Sequence, residues 1–156
     1  MTAFLDIEGC KNELINSVAG LQNGYWVTLN VLHKSEVTLN ATLLELSKRL
    51  NVFCYGNNYK NGVKRLEIRG ALQRGNVYEG LHAHLIIMQN GDTDRSFNEF
   101  EHYIRRQWYR LNNAKGNIYG GLVDVQPVAD VATRISYALR DFSPLFDQRD
   151  QIVYLW

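Results

Sequence analysis

Two periods alternate along the chain. Residues 25 to 32, Tyr-Trp-Val-Thr-Leu-Asn-Val-Leu, follow a glycine turn and are rich in aromatic and β-branched types, which predicts a first strand. Leu39, Leu43, Leu46 and Leu50 then recur at helical spacing, with Thr38 as the expected N-cap of an amphipathic helix. The turn-forming Asn57, Asn58, Asn61 and Gly62 separate it from a second strand over Val63 to Gln73. A turn from Arg74 to Gly80 returns the chain into a third strand ending at Met88, so strands two and three form an antiparallel hairpin. Ser96-Phe97-Asn98-Glu99 has the capping-box pattern, and Phe97, Phe100, Ile104, Trp108 and Leu111 continue a helical stripe that Asn112, Asn113 and Gly116 stop. Ile118 to Val125 supplies a fourth strand closed by Pro127, and Asp130 caps a further helix striped by Val131, Ile135, Ala138 and Phe142. Ahead of all this, Phe4, Leu5, Ile7, Leu14, Ile15 and Val18 give residues 3–19 a helical lead-in ended by Gly20 or Gly24.

The order β-α-β-β-α-β predicts an α+β fold, a split-βαβ (ferredoxin- or RRM-like) antiparallel sheet whose first and third strands are central. Its helices cover one face. The other is left for a ligand or for the terminal segments, including the added C-terminal helix that bears Tyr137. No repeat or linker divides the chain, so residues 1–156 read as one domain, with 1–24 a lead-in and 143–156 a C-terminal extension. An apolar content of 46% against 21% charged is that of an ordinary folded domain. The net charge of +1 decides nothing about nucleic acid, which needs only a local basic patch. Cys10 and Cys54 form no Cys-x-x-Cys pair, so neither a disulfide framework nor a thiolate zinc site is expected and a cytoplasmic setting fits. No apolar run approaches the roughly 20 residues of a membrane span, and the acidic N-terminus does not read as a secretory signal, so no membrane partner is expected.

The candidate chemistry lies in the third strand. Gly80-Leu81-His82-Ala83-His84-Leu85-Ile86-Ile87-Met88 sets two imidazoles two residues apart, and period-two alternation turns both to one face while Leu81, Ala83, Leu85 and Ile87 take the other. The plain alternative is a strand with two satisfied polar side chains. Folding the hairpin about its turn puts Gln73 opposite His82, whereas Glu67 would lie about 20 Å along the strand. Gln73 is therefore the favoured oxygen ligand, with Glu67, through a bulge, and Glu79, in the turn, as alternates. In the last helix Thr133, Arg134, Tyr137 and Arg140 occupy the polar face, where a structural tyrosine would be out of place.

Three stretches in one order resemble the HUH endonuclease superfamily, in particular its single-tyrosine rolling-circle replication initiators. Trp26-Val27-Thr28-Leu29-Asn30 is similar to their first-strand motif, Leu81-His82-Ala83-His84-Leu85 to the His-hydrophobic-His motif, and Ser136-Tyr137-Ala138-Leu139-Arg140 to the Tyr-x-x-Lys motif. The last departs from the family at Arg140, where a planar fork replaces an ammonium. Gln73-Arg74-Gly75 looks like the family's Glu-Lys-Gly, with an amide for the carboxylate.

The resemblance implies a nicking and joining enzyme for single-stranded DNA at a replication origin or hairpin, encoded by a plasmid or phage in a bacterial cytoplasm. His82, His84 and Gln73 would hold Mg²⁺ or Mn²⁺, and Tyr137 would be the nucleophile, with Arg140 as its basic partner. Unwinding is expected from a host helicase. Lys64, Arg65, Arg69 and Arg74 on the hairpin, and Arg134 on the tyrosine helix, are the expected DNA contacts. By contrast, Arg105, Arg106 and Arg110 read as a solvated helix face, and Trp108 and Tyr109 as core and rim. The competing readings are a non-catalytic RRM-like nucleic-acid-binding module and an HUH transposase or mobilisation relaxase. A histidine-triad hydrolase would need His where Ile86 stands.

Overall fold

The computed structural model describes residues 7–30, 36–74, 81–113, 123–128, 130–138 and 152–155. The internal elements are β1 (Gly24–Asn30), α2 (Glu36–Tyr55), the one-turn α3 (Asn57–Lys60), β2 (Arg65–Arg74), β3 (Leu81–Asn90), α4 (Phe97–Asn113) and β4 (Val123–Pro127). Around them lie α1 (Ile7–Ser17), α5 (Val131–Ala138) and β5 (Ile152–Leu155). The described strands form one antiparallel sheet in the order β4-β1-β3-β2-β5. Its first four members are the split βαβ expected from the sequence, with the histidine strand β3 flanked by β1 and β2. The edge strand β5, paired with Ile68 to Ala71 of β2, falls in what the sequence offered only as an extension.

Odd-numbered residues of β1 and β3, with even-numbered residues of β2, build the larger core. Tyr25, Val27, Leu29, Ala83, Leu85, Ile87, Leu66, Ile68 and Leu72 pack there under α2 and α4. Leu39, Leu43, Leu46 and Leu50 are the buried stripe of α2, and Phe100, Ile104 and Trp108 that of α4. Polar ties fix both helices to strand ends. Asn51 accepts the Leu66 amide at 2.7 Å, and the Trp108 indole donates to the Asn30 carbonyl at 3.3 Å. The capping box forms as expected, with the Glu99 amide donating to the Ser96 hydroxyl and the Ser96 amide to the Glu99 carboxylate. Thr38 is not an N-cap, because α2 already begins at Glu36; instead its carbonyl accepts the Thr42 hydroxyl within the helix.

The opposite face is covered by the terminal helices. Leu14 and Val18 of α1 and Ile135 of α5 bury Trp26, Ala71, Ile86 and Met88 in a second, smaller core. The chain leaves β4 beside Gly24, whose carbonyl accepts the Val128 amide, and α5 then crosses the sheet against β3 and β2. Asp130 caps α5 through the Thr133 amide and hydroxyl, bonds that hold its carboxyl below the usual value. Helices therefore lie on both faces, the two internal ones on one and the terminal pair on the other, which is the place the sequence left for the terminal segments.

Candidate active site

Strand register puts the candidate residues in rows across the face that α1 and α5 partly cover. Nearest the turn, His82 is flanked by Asn30 of β1 and Gln73 of β2, the neighbour the sequence predicted. In the next row Asp124 of β4, Thr28, His84 and Ala71 stand side by side. Beyond these come Gln126, Trp26, Ile86 and Arg69, then Met88 and Glu67. His82 thus sits at one end of the face, and Trp26, Ile86 and Met88, which the terminal helices cover, lie toward the other, with His84 between them. His82 is half-buried and His84 is buried, at 5% exposure.

The two imidazoles stand edge to face with ring centroids 4.8 Å apart. Thr28 Oγ1 lies 3.1 Å from His84 Nδ1, a hydrogen bond whose donor is set by the ring's tautomer. The Trp26 ring stacks parallel to the His84 ring, centroids 5.4 Å apart and planes 2° from parallel. Sequence reasoning passed over both contacts, although alternation places Trp26, Thr28 and Asn30 on the histidine face. Asp124 also went unnoticed; it stands two strands, about 10 Å, from His84. Among the described residues no three His, Cys, Asp or Glu side chains converge as a metal site. His82 and His84 share one face of β3, and Gln73 is the cross-strand neighbour of His82 on the hairpin.

The other expected residues separate. Glu67 is no neighbour of the histidines. It pairs with Met88, and its carboxylate is taken by Arg69 at 2.9 Å, Arg65 at 2.7 Å and Asn90 at 3.1 Å. Burial alone would push that carboxyl up, but the bonds from Asn90, Arg65 and Arg69, with the charge of Arg65, outweigh it and hold the group below its usual value. Arg69 is not a surface contact either: only 3% exposed, it also donates to the Ser17 hydroxyl of α1 and to the Ile68 carbonyl. Lys64 and Arg65 lie at the far end of the hairpin, where Arg65 pairs with Asn90 and Lys64 donates to the Asp92 carbonyl. That is eight residues of β3, about 26 Å, from His82, so they do not flank the site. Arg134 works within the fold, donating to Gln126 of β4 while its guanidinium carbon sits 5.4 Å from the Trp26 ring centroid.

Arg74 pairs with Leu81 at the end of the hairpin nearest His82, and its side chain, like that of Gln73, lies outside the described part. Glu79 and Arg140 lie outside the described residues altogether. Tyr137 belongs to α5 by its backbone, and its side chain is outside the described part. Trp108 is fully buried and Tyr109 exposed, as core and rim. Arg105, Arg106 and Arg110 are exposed along α4, with Arg105 bonded to Glu101 and to the Val123 carbonyl.

No family model matches this chain, and neither does any curated protein or solved structure. Among the described residues no helix is long and apolar enough to cross a membrane.

Proposed function

We propose that the protein nicks and rejoins single-stranded DNA through a phosphotyrosine intermediate, in the manner of the HUH endonucleases its motifs resemble. One observation supports this above the others: His82 and His84 share a face of the middle strand, and α5, which bears Tyr137, packs on that same face through Ile135. His82, His84 and Gln73 are the residues that would hold Mg²⁺ or Mn²⁺. Such a cation would supply Lewis-acid polarisation of the scissile phosphate. The Tyr137 oxygen attacks phosphorus in line, forming a Tyr–O–P bond to the 5′ side while the P–O3′ bond breaks and the tyrosine proton passes to the released 3′ oxygen. The reverse attack rejoins the strands without an external energy source, because the phosphodiester bond is conserved in the covalent link. Arg140 would stabilise charge at the tyrosine. Initiation of plasmid or phage replication, with a host helicase, is the biological setting this reading favours.

The RRM-like reading draws less support. Such modules stack bases on an open sheet, whereas here Trp26 of that face is buried beneath α1 and α5 and stacked on His84. The deciding experiment incubates the protein with a pool of single-stranded oligonucleotides and Mn²⁺, and looks for a denaturation-resistant adduct. Wild type should form it, and Tyr137→Phe and His82→Ala should not. Adduct formed by Tyr137→Phe at the wild-type rate would refute the assignment.

A further inference from the structure

We infer that Arg134 is a positioning residue: it seats α5 on the neighbouring pair Gln126 and Trp26, and so sets where Tyr137 stands relative to the histidine strand. The inference rests on the nickase reading for its purpose, and on the packing of α5 against the sheet for its content. Gln126 of β4 and Trp26 of β1 are direct cross-strand partners, and Arg134 reaches both. Its Nη2 donates to Gln126 Oε1 at 3.0 Å, and its guanidinium carbon stands 5.4 Å from the Trp26 ring centroid. Gln126 is itself held, because its amide nitrogen donates to Asp124 Oδ2 at 2.9 Å while its oxygen accepts from Arg134.

Apolar burial alone would not orient this helix. Ile135 holds α5 against the smaller core, but such contact is non-directional and tolerates rotation and sliding. A guanidinium is a planar fork that donates to the amide and lies against the indole at once, whereas an ammonium is a compact point charge without that plane. The seat is also joined to the candidate site. The Trp26 ring that receives Arg134 is the ring stacked on His84, and position 137 follows Arg134 by three residues, about 4.5 Å along the axis of α5. A shift of the helix at Gln126 and Trp26 is therefore carried to Tyr137.

The test separates this role from the DNA contact that the sequence suggested for Arg134. In the full chain, Arg134→Met and Arg134→Lys are compared with wild type on the oligonucleotide that wild type captures from the single-stranded pool. Two quantities are read: the rate of adduct formation at saturating oligonucleotide with Mn²⁺, and oligonucleotide affinity as a function of salt. Both variants should form adduct about 10- to 100-fold more slowly, the scale of a misplacement of about 1 Å, with affinity and salt slope unchanged. A phosphate contact would give another pattern, in which Arg134→Met loses affinity and about one unit of salt slope and Arg134→Lys restores both. That pattern, or wild-type rates in both variants, would overturn the inference. Methyl spectra of the protein without metal or DNA read the helix itself. Both substitutions should move the Ile135 resonances, in the core shared with Trp26, while Leu46 and Leu50 under the other face keep theirs and show that the fold is intact. Ile135 resonances unmoved in both variants would equally overturn the inference. If wild type forms no adduct, the nickase reading falls by itself, and displaced Ile135 resonances still bear out the seating of α5 by Arg134.

Discussion

Glu67→Gln separates the structural role of this carboxylate from a ligand role more sharply than any other substitution. The side chain keeps its size, and its amide oxygen can still accept one hydrogen bond, so what disappears is the charge that faces Arg69. Both partners are buried, Glu67 at 4% exposure and Arg69 at 3%, so the guanidinium would lose its counter-charge where water cannot replace it. Arg65 contributes little, because half of its side chain is exposed and such pairs are worth about 0–1 kcal/mol. Breaking a buried pair from one side costs about 3–5 kcal/mol. In a chain of this length that lowers the melting temperature by roughly 6–20 °C. Removing both charges, as in Glu67→Leu with Arg69→Met, should recover most of the loss.

The pH dependence carries its own sign. The Glu67 carboxyl titrates lower folded than unfolded, so its stabilisation is complete above the ordinary carboxylate value of about 4.3 and is lost as pH falls through the lower folded value. The stability gap between wild type and Glu67→Gln should be constant from pH 6 to 8 and shrink below about pH 4. Urea melts at these pH values measure it, and Mn²⁺ titration of the folded variant should match wild type. A gap under about 1 kcal/mol would refute the buried-pair argument, and a large loss of Mn²⁺ affinity would restore Glu67 as a ligand.

Three further outcomes are expected. A Cβ at Gly70 would lie 1.9 Å from the His84 carbonyl oxygen, so Gly70→Ala must push β2 away from β3; a loss of about 2–3 kcal/mol in urea unfolding is expected, and wild-type stability would mean the strands are not so closely apposed. Gln73→Glu should tighten Mn²⁺ binding, since it brings a carboxylate beside His82, and calorimetry showing no gain would remove position 73 from the site. Burial, offset in part by Arg95 and Thr93, pushes the Cys54 thiol up to about 12; in a Cys10→Ser background the native protein should therefore resist a thiol reagent at pH 8, and rapid labelling without unfolding would contradict that burial.

The split βαβ could be read from the sequence because its signals are local and repeated. Leucines at helical spacing, a capping box closed by Ser96 and Glu99, and an aspartate at the head of α5 each name one element, and the hairpin register follows from the turn between Arg74 and Gly80. What escaped depends on tertiary partners. Ile152 to Leu155 is an apolar run of four, too short for periodicity to distinguish strand from tail, and only the exposed edge of β2 makes it a strand. Arg69 read as a DNA contact because it lies on the hairpin that flanks the histidine pair in sequence. The available signal was the alternation Arg65, Glu67, Arg69, which sets opposite charges on one strand face at period two. That α1 would close over this charge ladder, through Ser17, is a long-range fact with no local trace.

The location of the histidines ties the site to the fold. A strand flanked on both sides has its register fixed twice, here by Asn30 and Thr28 from β1 and by Gln73 and Ala71 from β2. A one-residue slip would carry His82 and His84 into the core under α2 and α4 and bring Ala83 and Leu85 to the polar rows. Two uncompensated imidazoles in that core, and the loss of the apolar packing it now enjoys, make the slip far more costly than the same error on an edge strand such as β5. Both cores therefore enforce one register, and that register sets the histidine pair beside Thr28 and Gln73. For this reason Gly70, which touches no candidate ligand through a side chain, should matter to the site: its missing Cβ is what lets β2 approach His84 closely enough to hold the pairing.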